Sequence, residues 1–73
     1  DPDKLLYELG TTIRAQRKAL GFSQEAFADE AGIDRSHMGK IERGERNVTL
    51  LNLLRIAKAL DRNASQILAD AGL

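Results

Sequence analysis

Cysteine is absent from this chain, which excludes disulfides and thiolate metal sites. Tryptophan is absent as well, and aromatic residues make up only 4% of the total. A core must therefore be built from Leu, Ile and Ala, a mixture that favours helices over sheet. A single histidine does not assemble a metal site alone. No apolar run approaches the roughly 20 residues that cross a bilayer, and no signal-type leader is visible at the first residues. The expected compartment is the cytoplasm. Also missing is any nucleophile–base set: Asp29, Glu30 and Asp61 have no spacing that would make a catalytic pair. Neither an enzyme, a metal nor a cofactor is expected, and no membrane.

Nor is there an excess of either charge, with 11 Lys and Arg against 11 Asp and Glu. This counts against the strongly basic character common among nucleic-acid-binding domains, so the distribution matters more than the sum. Residues 23–34 carry Glu25, Asp29, Glu30 and Asp34 and no base. Residues 35–47 carry Arg35, Lys40, Arg43 and Arg46 against Glu42 and Glu45. The sign changes between two neighbouring segments, and a focused basic patch on a neutral protein still attracts phosphate.

What is present reads as one all-α domain over residues 1–73, five helices joined by short connections. Asp1-Pro2 opens the first helix, with Pro in the first turn. Leu5, Leu9 and Ile13 follow at intervals of four, with Leu20 near the same face. Gly10 is read as a close packing contact, and Gly21 ends the helix. Ser23 caps the second helix, whose buried stripe is Phe27, Ala28 and Ala31; Gly32 closes it and Ile33 plugs the core. Asp34 caps the third, which buries Met38 and Ile41 and exposes Arg35, Ser36, Gly39, Lys40 and Arg43. Gly44 ends it. Thr49 caps a fourth helix with Leu50, Leu53, Leu54, Ala57 and Leu60 as its core face. After a turn at Asp61-Arg62-Asn63 comes a short fifth helix with Ile67 and Leu68.

The pair of short helices over residues 23–43 has the layout of a unit that sets its second helix into the major groove of double-stranded DNA, about 12 Å wide. The inner face of that helix is anchored by Ile33, Met38 and Ile41, while Ala28 lets the two helices approach. On the outer face Arg35 is suited to a guanine O6/N7 pair. Ser36 is short and adaptable, and Lys40 lies one turn along. Gln24 starts the preceding helix, where its amide is placed to hold a phosphate. Arg43, Arg46 and Asn47 flank the far end and suit the DNA backbone there, and His37 joins this DNA-facing set. Arg14, Lys18, Arg55, Lys58 and Arg62 read as solvated.

These residues resemble the lambda-repressor-like helix-turn-helix family of the Cro or xenobiotic-response-element (XRE) type. The likeness runs through Leu9-Gly10, Ile13-Arg14, Arg17, Leu20-Gly21-Phe22-Ser23-Gln24, Phe27-Ala28, Ala31-Gly32-Ile33 and Ile41-Glu42-Arg43-Gly44, to Leu53, Ile56-Ala57 and Ala59-Leu60, nearly the whole chain. Asp34-Arg35-Ser36-His37 and Glu42 to Val48 resemble most closely the small controller proteins of restriction–modification systems. The resemblance implies a transcriptional regulator with a five-helix fold, acting as a homodimer on a palindromic operator. It also implies an ion pair between Arg17 and Glu42 that sets the angle of the reading helix. Two positions depart from it: His37 stands where relatives tend to have an aromatic, and Gly39 lowers the helix propensity of the reading helix.

Leu51 falls off the core stripe of the fourth helix, and with Leu68 and Leu73 it suggests a self-complementary patch for a C₂ dimer. RNA polymerase is a further expected partner, through the acidic Glu25, Asp29 and Glu30. The alternative, since the resembled family includes antitoxins, is a protein-interaction module of the same fold. Neutral charge fits that alternative, while no long apolar tail or disordered arm is visible to wrap a toxin.

Overall fold

Local side-chain chemistry marks every helix start in the computed structural model, which describes residues 1–73. The helices are α1 Pro2–Ala19, α2 Gln24–Ala31, α3 Arg35–Glu42, α4 Leu50–Ala59 and α5 Ala64–Asp70. The carboxylate of Asp1 accepts the Asp3 N–H at 3.0 Å. The hydroxyls of Ser23 and Thr49 accept the N–H groups of Ala26 and Asn52, each at 3.1 Å, caps worth about 1 kcal/mol apiece. At α5 the Gln66 side chain reaches back to the Asn63 N–H at 2.8 Å. The helix ends repeat one device. Gly21, Gly32, Gly44, Asp61 and Gly72 all take positive φ, and the N–H after each bonds a carbonyl five residues back, as in Glu45 N to Lys40 O at 2.8 Å. Asp61 does this with φ of 55°, a conformation that aspartate tolerates better than most residues.

Each helix sends one large side chain to the centre: Ile13, Phe27, Met38, Ile56 and Ile67 are all essentially inaccessible. Fourteen buried apolar residues form a single cluster around them. Within it α3 lies against both α1 and α2, α4 packs on α2, and α5 closes against α1 and α4. The tie between α1 and α5 is partly polar, since Asp70 accepts from Gln16 and from Arg62, each at 2.8 Å. No helix is long and apolar enough to cross a membrane.

Four leucines expected in the core lie outside it. Leu5 and Leu20 near the ends of α1, and Leu50 and Leu54 on α4, are exposed. The run Leu50, Leu51, Leu53, Leu54 makes two adjacent faces of α4 apolar, so spacing alone admits two phases of the helix. The observed stripe is Leu53, Ile56, Ala57 and Leu60, at i, i+3, i+4 and i+7. Gly39 is also corrected: it is buried, because the Gln24 and Arg43 side chains fold over it. Leu51 and Leu73 are exposed, whereas Leu68 is half-buried and packs on the core.

Two backbone approaches fix α1 against the end of α3. A Cβ on Gly10 would stand 2.4 Å from the Ile41 carbonyl oxygen and 2.6 Å from that of Glu42. One on Gly44 would meet the Tyr7 Cα at 2.7 Å. The chain comes this close only where side chains are missing.

Candidate nucleic-acid interface

The third helix, α3, is held from its first turn, its inner face and its last turn. At the first turn the Asp34 carboxylate accepts the N–H groups of Ser36 at 3.1 Å and His37 at 3.3 Å, and the Ser36 hydroxyl as well. The Ser36 hydroxyl, followed by the His37 N–H, holds the Asp34 carboxyl below its ordinary range. A carboxylate depressed in the folded state adds stability that is present above its unfolded value and is lost as pH falls through the folded one. Asp34→Ala should therefore be less stable than the wild type at neutral pH, with the difference shrinking in acid. Thermal melts across that range check this, and a difference that persists into strong acid would remove the charged cap from the account. The bond also commits the Ser36 proton to Asp34 and leaves the hydroxyl oxygen with free lone pairs.

The last turn is braced by a buried ion pair. Arg17 Nε and Nη2 donate to Glu42 Oε2 and Oε1 at 2.8 and 3.0 Å, and the two side chains are 7% and 1% exposed. The third guanidinium nitrogen, Nη1, donates to the Phe22 carbonyl at 2.8 Å. Glu42 Oε1 further accepts Gln24 Nε2 at 3.1 Å. One carboxylate thus joins α1, the start of α2 and the end of α3. Burying a charge is tolerated when its lone pairs and protons are satisfied in this way. The Gln24 and Phe22 contacts had no signal in the sequence, since Gln24 and Glu42 are separated by 18 positions.

The sequence-predicted residues divide in space. Gln24, Arg35, Ser36, Lys40 and Arg43, with Gly39 as the floor, line one open depression of about 320 Å³ on the outer side of α3. His37 is half-buried and lies outside it, and Arg46 and Asn47 are exposed in the connection to α4. Arg43 bonds Glu45 at 2.9 and 3.3 Å in a pair that is about half exposed on both sides, a kind of contact readily exchanged for another. Arg35 and Lys40 form no ion pair within the chain. No group of His, Cys, Asp or Glu is arranged to hold a metal ion.

An eight-residue helix presenting unpaired Arg and Lys outward, seated on a second helix through a glycine turn and braced behind by a buried carboxylate, defines a DNA-binding helix-turn-helix domain. The chain belongs to the helix-turn-helix family, which it matches over residues 13–67. It is 40% identical over 65 residues to the control protein C.SmaI of Serratia marcescens, covering 89% of this chain and 77% of that protein. It is 37% identical over 62 residues to the control protein C.MunI of a Mycoplasma species, covering 84% of each. The crystal structure of the restriction-modification controller protein C.AhdI from Aeromonas hydrophila superposes with a TM-score of 0.83 and 45% identity, over 85% of this chain and 94% of that one. The chain is a DNA-binding transcriptional regulator.

Proposed function

We propose that this regulator works as a homodimer on a palindromic operator and controls restriction–modification genes. The observation that carries this is the depression on the outer side of α3, with Arg35, Ser36 and Lys40 on one surface. A helix of eight residues is about 12 Å long, which spans only some three or four base pairs at about 3.4 Å each. Each chain has one such helix, and its longest extent is 31 Å. Reading two successive major-groove faces, about 34 Å apart, takes two copies. Exposed Leu51 and Leu73, beside half-buried Leu68, supply apolar surface for the pairing. The control proteins C.SmaI and C.MunI support the assignment to restriction–modification.

The mechanism is occupancy of DNA in the cytoplasm, without catalysis or cofactor. Bound across a promoter, the dimer blocks RNA polymerase; bound upstream, it offers polymerase the exposed acids Glu25, Asp29 and Glu30 of α2. Selection of bound duplexes from a random pool tests the proposal. The expected product is a palindrome with half-sites one helical turn apart, and recovery of unrelated sequences would overturn it. Arg35→Ala should relax preference at a single position per half-site, at a cost of about 1–3 kcal/mol against the preferred base. An unchanged selection profile would reject Arg35 as a base reader.

A further inference from the structure

The largest depression on the molecule, about 640 Å³, lies between α1 and the helix-turn-helix, at the start of α2 and the end of α3. Its α1 wall is Ala15 and a helical stripe of Tyr7, Thr11, Arg14 and Lys18, the four spaced by four, three and four, so that they share one face. Every one of them carries a hydrogen-bond donor, and two are cations. The opposite wall holds Gln24 and Arg43, which also line the depression on the reading face. The two hollows therefore meet along a shared edge.

Cations outnumber carboxylates along this groove, with Arg14, Lys18 and Arg43 against Glu42. Its one carboxylate, Glu42, lies at the back, 1% exposed and already committed to Arg17 and Gln24. Arg14 and Lys18 have no acidic partner. Arg55 and Lys58 form no ion pair either, but they share their depression with Asp29 and Glu30, whose charges offset theirs. A run of unpaired cations and hydroxyls that continues from the edge of the α3 face has the chemistry that meets phosphate oxygens of a DNA backbone.

We propose that Arg14 and Lys18, with Tyr7 and Thr11 beside them, form a phosphate-binding track for DNA flanking the half-site. The inference rests on the DNA-binding reading of α3. The track adds affinity and leaves base preference alone, since phosphates carry no sequence.

The experiment measures dissociation constants for a mixed-sequence DNA duplex over a salt series. It compares wild type, Arg14→Gln/Lys18→Gln, and Arg55→Gln/Lys58→Gln, with circular dichroism to confirm the helical fold. Each lost phosphate contact should lower the slope of log K against log salt by about 0.9. The Arg14/Lys18 variant should thus lose about two units of slope, and its affinity should fall about tenfold less than that of wild type between 50 and 200 mM salt. The Arg55/Lys58 variant should keep the wild-type slope. An unaltered slope in Arg14→Gln/Lys18→Gln would overturn the track while leaving the reading helix in place. Equal loss in both double variants would overturn it too, as a mere effect of net charge. Salt-independent binding, or none, by the wild type would instead overturn the DNA-binding reading itself.

Discussion

Replacing Glu42 with alanine should cost about 3–5 kcal/mol of folding stability. The cause is the side chain left behind. Arg17 is 5% exposed, and without Glu42 its guanidinium keeps only the Phe22 carbonyl, so a charge stays buried with most of its donors unmet. A domain of 73 residues has a total stability of about 4–11 kcal/mol at ordinary per-residue values, so the loss takes a large share. Urea titration at neutral pH measures it, and a cost under about 1 kcal/mol would show that the pair is not desolvated as its geometry requires. The double replacement Arg17→Met/Glu42→Leu separates stability from placement. Apolar residues of similar volume recover most of the loss. The angle of α3, and the bond that locates Gln24, are not recovered. The double variant should therefore fold and bind DNA poorly.

Gly10→Ala is the second large effect. The added methyl would stand 2.4 Å from one carbonyl oxygen and 2.6 Å from the next, both in the backbone of α3, with no rotamer to turn aside. Overpacking of this kind costs typically 1–3 kcal/mol, and a rigid backbone neighbour puts Gly10 at or above the top of that range. The gain of about 1 kcal/mol that alanine brings to a helix interior does not offset it. Gly39→Ala is the matched comparison, also in a helix, with a Cβ 3.1 Å from Arg43 Nη1 and 3.3 Å from Gln24 Oε1. Those are the ends of mobile side chains. Gly39→Ala should hold or raise the melting temperature while shifting Gln24 and Arg43 and weakening DNA binding. If both alanine variants melted alike, backbone contact at Gly10 would be rejected as the reason for its glycine.

The part of this fold legible in the sequence is the part set by neighbours along the chain. Ser23, Asp34 and Thr49 cap through atoms two or three residues away, and Gly21, Gly32 and Gly44 terminate helices through their own φ. These are local events, and local pattern reports them. The phase of α4 was not legible, because leucines at 50, 51, 53 and 54 satisfy two faces and only packing against α2 and α5 selects one. Leu5 and Leu20 follow the helical period but meet too little of the core to be covered. Gly39 has an outward position by spacing and becomes buried under two side chains from elsewhere. At the site, the types of residue were visible, while the second partner of Glu42 and the groove along α1 depend on segments brought together only by folding.

Along α3, Met38, Ile41 and Glu42 face inward and are buried, while Arg35 and Lys40 point away and carry no ion pair within the chain. The proposed DNA contacts and the core anchors thus occupy opposite sides of the same eight residues. On that proposal, descendants of this protein acquire new operators by changing the outer letters alone, and an outer face exchanged between relatives should transplant its preference without disturbing the scaffold that receives it.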